Sequence, residues 1–274
     1  MIITLINPQG FCFGVNRALK IAYESKKKYQ NLYIYNDLIH NRNVTNDLKK
    51  LNIKTEYHKE NIKDNVIISA HGLSNEEINY FKNKNINIIN STCPLVLKVH
   101  KLIKKYQDLG YTIFYIGKNN HPESKAIIKN FKVYLITNIN DIPILNTDKI
   151  FITNQTTLSI LDIEDIYKVI KKNYPNCIIS NDICNATVER QKAIINLEKQ
   201  NVVLVVGDIL SSNTVRLLEI AEKYHNKAYL INDYHDIDLK WFKKDDKVAI
   251  TSGASTPSYL VNEVQIFLNN IFNS

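Results

Sequence analysis

The chain has 274 residues, 45% of them hydrophobic, and a formal net charge of +8 from 35 Lys and Arg against 27 Asp and Glu. That is length and apolar content for one large domain, or two to three small ones, with a real core. No apolar run approaches the roughly 20 residues that cross a bilayer, and the lysines are scattered over expected helix faces ("SKKKYQ", "KLIKK", "KVIKKNY") as a solvated surface is.

In chain order, "MIITLINPQG" lacks a basic segment before its apolar stretch, so it is read as a first strand and not a signal peptide. A cytoplasmic location, or an organelle stroma, is therefore expected. The strand leads through a loop to Cys12 and the helical stretch "GVNRALKIAYESKKK". Next come two strands with polar ends: "NLYIYNDLIHN", carrying His40, and "DNVIISAHG", carrying His71. The short strand "INIIN" then meets Cys93. Pro94 suits the first position of a helix, and "LVLKVHKLIKK" has helical spacing, so Cys93 is expected to cap a helix.

The same layout returns twice. "YTIFYIGKNNHPES" ends in His121 and Glu123, "KIFITNQTTLS" in Gln155, Thr156 and Thr157, and "CIISNDIC" runs into Cys184 and a helix. "NVVLVVGDILSSN" then ends in Ser211, Ser212 and Asn213, and "DKVAITSGASTP" in the residues from Ser252 to Thr256. His40, His121 and Ser211 follow their cysteines by 28, 28 and 27 residues, which marks a threefold internal repeat. Each third-strand loop is expected to enter a helix with acidic residues in its early turns. Alternating strands and helices argue parallel sheets. The expected fold is three similar α/β domains, residues 1–92, 93–180 and 181–274, in a pseudo-threefold trefoil with strand C-termini facing a central site. In open α/β sheets ligands lie beyond those strand ends.

Four cysteines in such a chain do not suggest a disulfide framework. Three of them, Cys12, Cys93 and Cys184, sit at matching strand-to-helix junctions, where a helix N-terminus favours thiolate. Three thiolates suit a zinc site or an iron–sulfur cluster. Cys177 breaks the pattern and is read as a core residue. His121 with Glu123 offers a proton donor and its partner. The serines, the asparagine and the backbone N–H groups of the last two loops offer donors for a diphosphate. No Walker loop and no GxGxxG is present. Besides chemistry on a small phosphorylated molecule, two readings stay open at this level. One is a zinc hydrolase using the same three cysteines; the other is a basic nucleic-acid-binding protein, for which the scattered tyrosines give no platform.

The ordered motifs "GFCFGVNRA", "SAHG", "STCPLVLKVH", "HPE", "NQTTLS", "DICNAT" with the following "RQ", "SSN" and "SGASTP" resemble the LytB family of 4-hydroxy-3-methylbut-2-enyl diphosphate reductases over nearly the whole chain. The resemblance implies one 4Fe–4S cluster per chain, held by Cys12, Cys93 and Cys184, with its fourth iron open to the substrate hydroxyl. Oxidation of a sample is expected to leave a 3Fe–4S form. It implies Glu123 as proton source, with Thr156 and His121 beside it. His40, His71, His121, Thr156, Ser211, Ser212, Asn213 and Ser255 would hold the substrate. Reduced ferredoxin or flavodoxin would be the electron donor, and neither nucleic acid nor membrane is an implied partner. The chain departs from the family pattern at Gln9, Phe13 and Asn185 and in the loop "GDILSSN".

Overall fold

In the computed structural model, which describes residues 1–272, the chain alternates strands and helices throughout. The strands gather into three four-stranded sheets, every pairing parallel. The first sheet joins β2 (Tyr33–Tyr35), β3 (Lys54–Glu56), β4 (Asn65–Ile68) and β5 (Asn87–Asn90) in the order β3-β2-β4-β5. The second joins β6 (Thr112–Ile116), β7 (Val133–Ile136), β8 (Ile150–Asn154) and β9 (Ile178–Ile179) as β7-β6-β8-β9.

The third sheet is completed by the N-terminus. β1 (Ile2–Leu5) pairs with β12 (Lys247–Ser252), beside β10 (Val202–Val206) and β11 (Ala228–Ile231), in the order β1-β12-β10-β11. Written from its first strand in the repeat, this order matches the other two. In each sheet the strand that runs into a cysteine lies at one edge.

The central strands are short apolar runs because both faces are covered. All five residues of β8 and all five of β10 are buried. Val202, Leu204 and Val206 pack with Val248, Ile250, Leu260, Val261, Val264 and Leu268 in the core of the third sheet. Truncating a fully buried leucine such as Leu204 to alanine costs about 2–5 kcal/mol in comparable cores.

The helices start where the sequence supplies caps. Ser74 and Glu77 form a reciprocal capping box at α3 (Asn75–Asn83). Cys93 is the N-cap of α4 (Pro94–Asp108), with Pro94 in the first turn as expected. His121 caps α5 (Pro122–Asn130) and Ser159 caps α6 (Ile160–Asn173). Ser211 caps α8 (Ser212–Tyr224). α1 (Phe13–Lys28) and α7 (Asn185–Ile195) begin directly after Cys12 and Cys184.

The helices after the third-strand loops carry acidic residues in their early turns as expected, α3 and α6 in the first turn and α9 (Ser258–Phe272) at Glu263 in the second. One expectation needs correction. Cys177 is half-buried at the approach to β9, not a core residue, because its loop lies at a sheet edge. Two compact units result. One comprises Met1–Val15, Ile39–Asn46 and Asn185–Ser274; the other comprises Asn16–Leu38 and Asp47–Cys184. Among the described residues no helix is long and apolar enough to cross a membrane.

Candidate functional site

The three cysteine turns share one backbone arrangement. The N–H of Cys12 donates to Ala254 O at 3.0 Å, that of Cys93 to Ala70 O at 3.0 Å, and that of Cys184 to Thr156 O at 2.9 Å. Each acceptor lies two residues past the end of the neighbouring strand: β12 ends at Ser252, β4 at Ile68 and β8 at Asn154. So each cysteine is fastened to the third-strand loop of its own sheet and stands directly before a helix. All three are half-buried, and none of the four cysteines is in a disulfide.

Within the larger unit, Glu123 is 1% exposed. Its carboxylate accepts the Thr156 N–H at 3.1 Å and the Thr156 hydroxyl at 2.9 Å. Burial pushes its pKa up from 4.5 to about 7; Thr156 pulls it down, and the negative charge of Asp182 pushes it up again. Desolvation outweighs the hydrogen bonds and holds this carboxyl well above the usual carboxylate range. His121 Nδ1 accepts the Glu123 N–H at 3.2 Å, which leaves the ring proton on Nε2. The His121 ring meets that of His71 edge-on, with centroids 5.5 Å apart. Gln155 holds the loops together, its Oε1 accepting from the Lys118 N–H and the Ser124 hydroxyl.

Two groups beside this acid did not stand out in the sequence. Asp182, itself buried, accepts from the Thr153 hydroxyl and from Lys98 Nζ, both at 2.8 Å. Tyr115 is fully buried, and burial together with Glu123 holds its phenol well above the usual range. Asp182 lies two residues before Cys184, a spacing that could have drawn attention. Tyr115 reads as one more apolar strand residue, and no signal separated it.

In the other unit the loops after β10 and β12 meet. Ser211 accepts the Thr214 N–H, and the Ser255 hydroxyl lies 3.3 Å from Ser211 Oγ and 3.1 Å from His40 O. Asn213 is 4% exposed, and neither its amide oxygen nor its amide nitrogen has a hydrogen-bond partner among the described residues. Ser212 occupies the first helical position of α8. The loops touch because they carry glycine: a Cβ on Gly253 would sit 2.1 Å from Thr214 Oγ1, and one on Gly207 2.6 Å from Thr256 Oγ1. Hydroxyls, an amide and a helix N-terminus in one small region are what an anionic ligand requires.

Among the departures from the family pattern, three residues lie at the surface. Phe13 is 71% exposed, beside Cys12, and Ile209 and Leu210 are exposed in the "GDILSSN" loop. Asp208 in that loop is not passive. It is 2% exposed and accepts from the Arg42 and Leu210 N–H groups, at 3.1 and 3.0 Å.

The structure therefore groups Cys12, His40, Ser211, Ser212, Asn213 and Ser255 in one unit. It groups Cys93, Cys184, His71, His121, Glu123 and Thr156 in the other. Among the described residues no three His, Cys, Asp or Glu side chains stand close enough together to hold a metal ion. The donor chemistry does fit an iron–sulfur group: three reduced thiols, each at the positive end of a helix.

Parallel sheets with a buried, protonatable acid and polar loops at their strand ends define a class, the α/β enzymes with a site beyond the carboxyl ends of the strands. The comparisons go further. The LytB protein family matches residues 3–269. The 4-hydroxy-3-methylbut-2-enyl diphosphate reductase of Malacoplasma penetrans is 40% identical, over 98% of this chain and 97% of its own. That of the Wolbachia of Brugia malayi is 39% identical over 96% and 90%. The solved structure of the Plasmodium falciparum E-1-hydroxy-2-methyl-but-2-enyl-4-diphosphate reductase superposes with a TM-score of 0.93 at 33% identity, covering 98% of this chain and 88% of that one. A second, described as the terminal enzyme of the non-mevalonate pathway, gives 0.72 at 30% identity over 99% and 100%. The chain belongs to the LytB family of diphosphate reductases, an iron–sulfur enzyme family.

Proposed function

We propose that the chain reductively dehydroxylates (E)-4-hydroxy-3-methylbut-2-enyl diphosphate to isopentenyl and dimethylallyl diphosphate, the last step of the non-mevalonate route. The balance is two electrons and two protons in, and one water out. Cys12, Cys93 and Cys184 would hold one 4Fe–4S cluster. When bound, that cluster supplies the electrons and an open iron that polarises the allylic oxygen.

The residues of the chain do the rest. Glu123 holds a proton at its carboxyl for the departing hydroxyl, and burial keeps that proton available near neutral pH. Thr156 fixes the carboxylate plane with two hydrogen bonds, its N–H to one carboxylate oxygen and its hydroxyl to the other. His121 and His71 flank the acid with a shared ring contact. Ser211, Ser212, Asn213, Ser255 and His40 offer donors to the diphosphate, whose charge needs several hydrogen bonds once it leaves water. A reduced ferredoxin or flavodoxin would deliver the electrons, and the cytoplasm is the expected compartment.

The single observation that carries this reading is the threefold cysteine turn, with each thiol before a helix and each amide tied to the same position of the neighbouring loop. An anaerobic visible spectrum with iron and sulfide counts tests it on wild type and Cys93→Ser. Broad absorption near about 400 nm with about four irons per chain, lost in the variant, is expected. A colourless wild type with one zinc would replace the reductase by a zinc hydrolase.

A further inference from the structure

The helices that follow the three cysteines have a second relation in common. Arg17, five residues beyond Cys12 on α1, donates from Nη1 to the carbonyl of Thr92 at 3.0 Å, one residue before Cys93. Lys98, five beyond Cys93 on α4, donates from Nζ to Asp182 at 2.8 Å, two residues before Cys184. Arg190, six beyond Cys184 on α7, donates from Nη2 to the carbonyl of Gly10 at 2.7 Å, two residues before Cys12. The order is cyclic: the helix of each cysteine sends a cation to the loop in front of the next.

Helix geometry explains the spacing. Five or six residues advance about 7–9 Å, and helical side chains lean back toward the N-terminus. A Lys or Arg there brings its charge back over the start of its own helix, where the cysteine stands. The acceptors differ in kind, two carbonyls and one carboxylate, so the recurrence is not one local sequence motif copied three times. The cations also differ in exposure. Arg190 is 3% exposed and additionally donates to Ala186 O at 3.1 Å, whereas the Lys98 side chain is 56% exposed over an Asp182 side chain at 2%.

We propose that Arg17, Lys98 and Arg190 are positioning residues that brace the three cysteine turns and set how firmly the chain retains its iron–sulfur group. This rests on the reading of Cys12, Cys93 and Cys184 as ligands. None of the three cations reaches the substrate or the cluster in this account. Each acts through the loop that leads into a ligand, as outer-shell partners do when they orient ligating side chains.

The test is the rate of iron release from the anaerobically purified holoenzyme to an iron(II) chelator, with the melting temperature of each variant. Lys98→Met, at an exposed position, is expected to release iron roughly tenfold to a hundredfold faster, the scale on which an outer-shell partner affects metal affinity. Lys98→Arg should restore the wild-type rate. Arg17→Gln should behave as Lys98→Met does. The buried Arg190 is tested as Arg190→Lys, which keeps the charge but cannot reproduce both guanidinium contacts. Trp241→Leu, which breaks the stack of Tyr229 on Trp241 in the third sheet, supplies a variant destabilised elsewhere. Wild-type release from Lys98→Met and Arg17→Gln overturns the proposal. So does equally fast release from Trp241→Leu at a matched melting temperature. A wild-type chain that takes up no iron removes the reading of the cysteines, and the brace with it.

Discussion

The second and third sheets set two side chains on one backbone frame. After β6 the chain runs His121-Pro122-Glu123 into α5; after β10 it runs Ser211-Ser212-Asn213 into α8. His121 and Ser211 are both N-caps that accept a helical N–H. Glu123 and Asn213 therefore occupy the same second helical position, both almost fully buried. One is an acid whose pKa is pushed up to about 7, anchored by Thr156. The other is a neutral amide with no partner at either end. The repeat supplies a place, and the side chain in that place sets its chemistry, a raised acid in one sheet and a neutral amide in the other.

Replacing Glu123 by glutamine makes the two positions alike and should have the largest effect. Glutamine keeps the shape, and its one oxygen still accepts the Thr156 N–H while its amide N–H donates to the Thr156 hydroxyl, but it carries no transferable proton. Turnover should fall by roughly 10²–10⁴-fold, the range for a positioned acid, while the visible absorption of the cluster stays unchanged. Steady-state assay with a chemical reductant measures it. A Glu123→Gln enzyme that turns over at the wild-type rate would return the proton source to another group.

The same substitution separates the two positions by pH. The folded pKa of Glu123 is raised, from 4.5 to about 7. Below 4.5 both folded and unfolded chains hold the proton, and Glu123 takes nothing from stability. As pH rises from 4.5 to 7 the unfolded chain releases it first, so the folded state loses ground, and above about 7 the loss is complete. At about 1.4 kcal/mol per unit, wild type should lose ~2–3 kcal/mol more than Glu123→Gln between pH 5 and pH 8. Denaturant midpoints at the two pH values read the difference. Parallel pH profiles for the two proteins would mean that Glu123 is ionised throughout, a partner to the site rather than its acid.

How much of this stands in the sequence varies with the residue. β10 announces itself as five apolar residues and β8 as the run Ile150-Phe151-Ile152, and Cys93-Pro94 announces a helix start, because burial on both faces and an N-terminal proline leave local marks. The edge strands β3, β7 and β11 are short and no more than partly buried, apart from the last residues of β7 and β11, so burial leaves little mark on them. The pairing of β1 with β12 joins residues almost 250 positions apart, as Ile2 with Lys247 shows, and no local pattern encodes it. At the site, Glu123 and Thr156 were legible as members of polar strand-end loops. Asp182 and Tyr115 were not: their importance comes from what burial brings beside Glu123, a property of the packed chain alone.

Asn213 gives the smallest effect and the one with an unusual sign. A buried amide with no partner destabilises the protein that holds it, by about 1–3 kcal/mol in mutational series. Asn213→Ala removes that penalty at the expense of a small void, and the two changes nearly offset. The melting temperature of the ligand-free protein should therefore not fall. If the amide is kept for the diphosphate, the same change removes a hydrogen bond to a charged group, and KM should rise about tenfold with kcat little altered. Stability and affinity then move apart, which a merely structural asparagine would not produce. A lower melting temperature with unchanged KM would place Asn213 among the residues that hold the Gly207 and Gly253 loops in shape. The anion cradle would then shrink to Ser211, Ser212, Ser255 and His40.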